Sequence, residues 1–259
     1  VPRLLVLWDV DHTLINAGGG GLELYRIAFA ELFGGEMPVP GSMAGRTERA
    51  IALEVLTLAG LPEPSGKVAA FHAVMAAHAP EVSELIRARG IVLPGAAEAL
   101  AALAMAGAGA GGGAGAGAGG GGAAGDGGQP VVQALLTGNI RALAEVKLGA
   151  LGLTGHLDLD VGTYGDAHEV RAELVGPARR RAALAYGGDF SGQATVLVGD
   201  TPLDVEAALV TGARAVAVAT GYFSVAELTA AGAHVVLPDL TDTSRVLRAV
   251  LGTSQSPAA

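Results

Sequence analysis

The sequence predicts an α/β fold: a Rossmann-like parallel sheet core with an inserted all-helical cap. Three observations carry this. From Pro130 onward, short apolar runs alternate with stretches of helical periodicity, the pattern of βαβ units. A matching apolar run, Arg3-Leu4-Leu5-Val6-Leu7-Trp8, opens the chain, and only helical pattern separates it from Ile91. Two of the apolar runs end in acidic motifs, Asp9-Val10-Asp11-His12-Thr13 and Gly199-Asp200-Thr201-Pro202-Leu203-Asp204. Ligands of an open parallel sheet gather outside the carboxyl ends of its strands, so these acids are expected to meet at one edge.

The elements follow in order. The first strand ends at Asp9, and Gly18 to Gly21 break the chain. Leu22 to Phe33 reads as a helix with Leu22, Tyr25, Phe29 and Leu32 near one face. Pro38, Pro40 and Gly41 mark a turn, a helix is expected from Thr47 to Leu58, and Gly60 stops it. Val68–His78 and Pro80–Arg89 read as two more. The block 16–90 therefore predicts a helical cap inserted into a core made of residues 1–15 and 91–252. Ile91 to Gly95 marks the return to the core, and a helix is expected from Ala96 to Met105. Residues 106–129, almost pure Gly and Ala, predict a flexible loop, because such composition buries too little to offset the entropy of ordering. Strands are then expected at Val131–Leu136, Leu157–Val161, Ala194–Val198, Arg214–Ala219 and Val235–Leu237. Helices are expected at Ile140–Leu151, Arg171–Tyr186, Pro202–Thr211, Val225–Ala231 and Thr243–Leu251. Residues 253–259 read as a frayed tail.

Composition narrows the function. The apolar fraction of 51% is inflated by Ala and Gly, and no run has the bulky character of a membrane span. The sequence opens on Val1 rather than Met, so a few native residues are expected to precede it. No apolar leader flanked by Lys or Arg is evident, so a secretory signal is not expected. There is no cysteine, which excludes disulfides, thiolate metal sites and a Cys nucleophile and points to a reducing, cytoplasmic setting. A net charge of -9 argues against nonspecific nucleic-acid binding, and no membrane partner is expected.

The motifs imply chemistry on phosphorus. Residues i and i+2 of a strand face one side, so Asp9 and Asp11 are expected to project together. One carboxylate can attack phosphorus and the other can trade a proton with the leaving oxygen and then with water. Asp200 follows a second strand. Asp204 stands at N3 of a helix with Thr201 as N-cap and Pro202 at N1, so it can complete a capping box, serve the site, or both. A third strand ends in Thr137-Gly138-Asn139, where a hydroxyl and amides at a helix start make an anion site; Asn139 can equally be a plain N-cap. Two like charges 4 Å apart repel by about 4 kcal/mol at an effective dielectric of 20, so carboxylates facing a phosphate need cations. A divalent ion held by Asp9, Asp11 and Asp200 meets that need, and an all-oxygen donor set favours Mg²⁺. A positive side chain is expected between Val161 and Thr195; Arg171 is preferred over Arg179, Arg180 and Arg181, a run that mostly faces solvent.

In this order the pieces resemble the haloacid dehalogenase superfamily, most of all its phosphoglycolate phosphatase and β-phosphoglucomutase-like branch. The resemblance implies Asp9 as nucleophile and Asp11 as general acid/base. It also implies Thr137 as phosphate-binding hydroxyl, Asp200 as metal ligand and Asp204 as the acid supporting it. Thr13, Gly138, Asn139 and Arg46 complete the expected substrate contacts; Arg46 lies in Met43-Ala44-Gly45-Arg46-Thr47, which is similar to a substrate-facing cap loop, and is otherwise a solvated helix-start residue. Three departures stand out. His12 replaces the family's usual Gly and either points to solvent or meets substrate. The expected Lys beside Pro is missing, which leaves Arg171 in that role. The Gly/Ala tract is foreign to the pattern. An acid at position 11 favours phosphoryl transfer over carbon–halogen cleavage, and Lys67, the only Lys of the cap, stands in a polar loop unsuited to a Schiff base. The expectation is a Mg²⁺-dependent phosphatase acting on a small phosphorylated metabolite through an aspartyl-phosphate. The alternatives are a phosphomutase or a noncatalytic binder of phosphometabolites. The remaining histidines, His72, His78, His156, His168 and His234, are isolated and read as surface or packing residues.

Overall fold

A computed structural model describes residues 3–108 and 130–252. The predicted tail at 253–259 and all but the first three residues of the predicted Gly/Ala loop lie outside the described residues.

The first strand, β1 (Leu4–Trp8), is buried on both faces, which is why its sequence reads as an unbroken apolar run. Leu4, Val6 and Trp8 enter one core layer, and Leu5 and Leu7 the other. A short β2 (Ile15–Asn16) follows, then α1 (Gly20–Phe33), α2 (Glu48–Leu58), α3 (Pro64–His78) and α4 (Ser83–Arg89), the last preceded by a 3-10 turn over Ala79–Val82. The chain returns through β3 (Ile91–Val92), which pairs antiparallel with β2. These two segments, too short for a periodicity signal, tie together the paths into and out of the helical block.

Helix α5 spans Ala96–Ala108, three residues beyond the predicted start of the loop. Gly107 fits there because a Cβ would lie 2.9 Å from the Val131 amide nitrogen. Then come β4 (Val131–Leu136), α6 (Arg141–Ala150), β5 (Asp158–Thr163), α7 (Val175–Tyr186), β6 (Thr195–Gly199), α8 (Pro202–Val210), β7 (Arg214–Val218), α9 (Val225–Ala230), β8 (Val235–Leu237) and α10 (Thr243–Leu251). Residues Arg171–Leu174, expected to be α-helical, form a 3-10 turn before α7.

Six strands form one sheet in the order β5-β4-β1-β6-β7-β8, parallel at every pairing. From β1 the chain winds outward through β4 and β5, then crosses to the other side through β6, β7 and β8. The switch point thus lies at β1, and its neighbours are β4 and β6, the other two strands with polar ends. One face carries α5, α6 and α10 through Leu100, Leu103, Leu148, Val246 and Val250. The opposite face carries α7, α8 and α9 through Val175, Ala178, Val205 and Leu228.

The helical block has its own core of Leu24, Tyr25, Val55, Phe71, Met75 and Ile86, joined by Ile140 and Leu143 of the sheet domain. Its docking is close. The first amides of α2 donate outward, Glu48 N–H to the Gly138 carbonyl (2.7 Å) and Arg49 N–H to the Gly165 carbonyl (2.9 Å). These amides have no partner within their own helix, so core loops supply what the helix lacks. A Cβ on Gly138 would stand 2.1 Å from the Arg46 carbonyl oxygen, which makes glycine obligatory at that approach.

Candidate active site

The ends of β1, β4 and β6 converge under the helical cap. Asp9, Thr137 and Asp200 are all buried there. One carboxylate oxygen from each of Asp9, Asp200 and Asp204 lies within 4.8 Å of the other two. Asp204 reaches this point through the capping box that its spacing predicts. Its Oδ2 accepts from the Thr201 amide (3.1 Å) and hydroxyl (2.7 Å), and the Thr201 hydroxyl accepts from the Asp204 amide. Its other oxygen, Oδ1, faces the site and pairs with Arg171, so capping and site membership coexist. The Thr13 hydroxyl donates to Asp200 Oδ1 at 3.2 Å and fixes that carboxylate against the turn after β1.

Arg171 is the cation of this cluster. Its Nη2 lies 2.7 Å from both Asp9 Oδ1 and Asp204 Oδ1, and it also donates to the Leu136 carbonyl. Nη1 reaches across to the Gly45 carbonyl of the cap. Burial opposes its charge, but Asp204 and Asp9 outweigh that and hold its pKa above the usual guanidinium range. Burial and the neighbouring acids push both Asp9 and Asp200 up, and Arg171 offsets only part of this. Three buried carboxylates thus face one guanidinium. Hard oxygen donors with uncompensated negative charge fit a divalent cation such as Mg²⁺.

The Asp11 side chain lies outside that trio, contrary to the expected metal set of Asp9, Asp11 and Asp200. Strand β1 stops at Trp8, and His12 turns the backbone at φ 60°, so strand alternation no longer sets the direction of residue 11. The Asp11 carboxylate instead meets Lys147 Nζ at 2.6 and 2.8 Å and accepts from Asn139 Nδ2 at 2.7 Å. Burial raises its pKa, but Lys147 more than reverses this and holds it below the usual carboxylate value. Asn139 is not the N-cap of α6; Ile140 holds that position without a side-chain bond. Asn139 bridges the site: its amide donates to the Thr137 hydroxyl as well as to Asp11, and its oxygen accepts from Lys147 at 2.6 Å.

Arg46 lines the cavity, but its guanidinium is engaged within the cap. It pairs with Glu54 and donates to the Ser42 and Ala50 carbonyls. A carboxylate nearly two helical turns into α2 therefore holds this guanidinium on the cap side of the cavity. Arg179 braces Thr195, Thr211 and Gly192 away from the site, and Arg180 and Arg181 are exposed. His12 does not simply point to solvent. Its ring lies edge-on to Tyr222, 4.9 Å between centroids, and both line the cavity mouth.

The cavity measures about 570 Å³ and opens to solvent. Asp9, Asp11, Thr137, Lys147, Arg171 and Asp200 form its core side; Leu22, Met43, Glu48 and Ile51 form its cap side. Lys147, Glu48 and Tyr222 are not predicted from the sequence. Lys147 had a readable signal, a lysine in register with Leu143, Ala144 and Leu148 on the apolar face of α6. Glu48 and Tyr222 had none, since cap docking alone brings them to the cavity.

A parallel Rossmann-like sheet, a switch point lined by acids and a helical block over it define an α/β fold whose candidate site lies at the carboxyl edge of the sheet. Known proteins agree. A family model described as HAD-hydrolase-like matches residues 174–243. The probable phosphatase IndB of Dickeya dadantii is 28% identical over 256 residues, 98% of this chain and 97% of that protein. Two solved structures share the fold: a predicted phosphatase from Clostridium acetobutylicum and a hydrolase from Pseudomonas syringae. The first has TM-score 0.61 and 15% identity and covers 96% of this chain and 100% of that one. The second has TM-score 0.60 and 18% identity and covers 94% and 96%. The chain is thus similar to a HAD-like hydrolase model over residues 174–243 and to a probable phosphatase over nearly its full length. Among the described residues no helix is long and apolar enough to cross a membrane.

Proposed function

We propose that this chain is a Mg²⁺-dependent phosphatase that hydrolyses a small phosphorylated metabolite through an aspartyl-phosphate. The carrying observation is the meeting of Asp9, Asp200 and Asp204 around Arg171 at the cavity between the sheet edge and the helical block. The similarity to a probable phosphatase over nearly the full length supports the same reading.

Asp9 attacks phosphorus in line, forming a new P–O bond as the ester P–O bond breaks. Asp11, in its protonated form, gives its proton to the departing oxygen. Water then attacks the aspartyl-phosphate, Asp11 takes a proton from it, and the bond to Asp9 breaks to release phosphate. Lys147 and Asn139 hold Asp11 in place for both transfers. Thr137, the amides after it and Arg171 bind the phosphoryl oxygens. Asp9 and Asp200 would hold Mg²⁺, with Asp204 behind them, and the bound ion supplies neutralisation of charge on those oxygens. The cap excludes bulk water and shapes the leaving-group pocket.

Turnover of an aryl phosphate, with and without Mg²⁺, tests this reading. Metal-dependent release of phosphate, abolished by Asp9→Asn, is expected. Absence of metal-dependent turnover, or full activity in Asp9→Asn, overturns it.

A further inference from the structure

We infer that Tyr222 is a specificity-determining residue: its ring, held edge-on to His12 at the cavity mouth, stacks on a planar ring carried by the leaving group. The favoured substrates are phosphomonoesters with a spacer between the ester oxygen and an aromatic ring. This deepens the phosphatase reading and rests on it.

Tyr222 lies in the loop between β7 and α9. It lines the cavity and is 76% exposed, so its ring is accessible to a ligand and contributes little burial to the fold. The loop that carries it is pinned on both sides. The Thr220 hydroxyl donates to the His12 carbonyl at 2.5 Å. A Cβ on Gly221 would stand 1.8 Å from Asp200 Oδ2, so only glycine lets the loop pass this close to the acid cluster. On the other side Phe223 packs against the core, and Ser224 caps α9. His12 is fixed as well, since its amide donates to the Ile15 carbonyl at 2.7 Å. The two rings meet at an interplanar angle of 61°. That contact orients the Tyr222 ring without burying it. An aromatic ring held on a fixed backbone offers a planar group a large contact area at low entropic cost.

The rest of the cavity favours the same class of leaving group. Each Lys and Arg that lines it already holds a carboxylate: Lys147 holds Asp11, Arg171 holds Asp9 and Asp204, and Arg46 holds Glu54. An anionic leaving group therefore meets no unengaged Lys or Arg there. Beyond the acid cluster the lining offers the His12 and Tyr222 rings and, from the cap, Leu22 and Met43. With the phosphoryl group at the acids and the rings at the mouth, a spacer must separate the ester oxygen from the ring that stacks.

The test uses two matched pairs of phosphomonoesters. In the first, 2-phenylethyl phosphate against 2-cyclohexylethyl phosphate, a planar ring is set against apolar bulk of similar size. In the second, uridine 5′-monophosphate against ribose 5-phosphate, the planar ring is placed farther from the ester. An aryl phosphate serves as a fifth substrate. Wild-type enzyme is expected to favour the planar member of at least one pair by about fivefold or more in kcat/KM, within what stacking on an aromatic side chain supplies. Tyr222→Ala and Tyr222→Leu are expected to bring that ratio close to one, mainly through a higher KM for the planar ester. Tyr222→Phe should keep it, because the ring and not the hydroxyl makes the contact. The ratio is internal to each protein, so a change in folded fraction cancels. The inference is overturned if wild type shows no preference in either pair, if Tyr222→Leu retains the preference, or if Tyr222→Phe loses it. A wild-type enzyme that leaves even the aryl phosphate intact marks the failure of the phosphatase reading instead.

Discussion

Replacing Glu48 with glutamine should stabilise the fold, and only on one side of a defined pH window. Burial pushes the Glu48 pKa from its ordinary 4.5 up to about 7; the Tyr25 hydroxyl and Lys147 pull the other way without cancelling it. A carboxyl whose pKa is raised by folding carries no penalty below its unfolded pKa, where it is protonated in both states. The penalty grows as pH rises through the folded value and is complete above about 7. At pH 8 it amounts to about 3 kcal/mol as an upper figure, from about 1.4 kcal/mol for each unit of pKa. Glutamine has the same shape and no charge, so whatever its amide gains or loses is the same at every pH. The stability gap between Glu48→Gln and wild type should therefore widen from pH 5 to pH 8, by roughly 6–12 °C in melting temperature for a chain of this size. Thermal unfolding of both proteins in metal-free buffer at four pH values measures it. A gap that stays flat, or narrows with rising pH, refutes the claim that this carboxyl is buried with Oε2 unmatched among the described residues.

Other perturbations test other parts of the site. Asp9→Asn should cut turnover at least ~10³-fold while leaving a cooperative thermal transition, as expected for a nucleophile rather than a structural acid. Lys147→Met removes the cation that holds the Asp11 pKa down, so Asp11 keeps the proton the leaving group needs to higher pH; the alkaline limb of the pH–rate profile should move to higher pH, and Lys147→Arg should restore part of its position. Because burial and mutual repulsion raise the pKa of Asp9 and Asp200, Mg²⁺ must displace protons to bind. Calorimetric affinity should weaken as pH falls, and a chelator should abolish turnover reversibly. Arg171→Lys should raise the KM for phosphate esters ~10-fold or more, since one ammonium cannot span Asp9, Asp204 and two carbonyls as the guanidinium does.

The main chain was largely legible because its signals are local. A strand buried on both faces is mostly apolar: β1 is so throughout, and β4, β6 and β7 carry one polar residue each, Gln133, Thr195 and Arg214. Thr201-Pro202-Leu203-Asp204 spells a helix start, and the helix starts there. The two acids at the β1 and β6 ends meet because a switch point brings those strands together, a consequence of topology that alternation alone implies. What resisted reading depends on contacts across the cavity. Once β1 ends, the direction of Asp11 is set by Lys147 and Asn139 rather than by strand period. The Arg46 guanidinium is set by Glu54, eight residues on. Glu48 reads as an ordinary first-turn acid until Gly138 and Gly165, lacking side chains, let α2 settle onto the core and bury it. The short β2–β3 pair is two residues on each side, below any periodic signal.

Asp9 is the residue proposed to carry the phosphoryl group. Acid quench during steady-state turnover of an aryl phosphate, followed by borohydride reduction and peptide mass spectrometry, tests it directly. Reduction should convert Asp9, and no other aspartate, to homoserine in a substrate-dependent fraction of molecules. Full turnover with Asp9 unmodified, or an adduct on another residue such as His12, would contradict it.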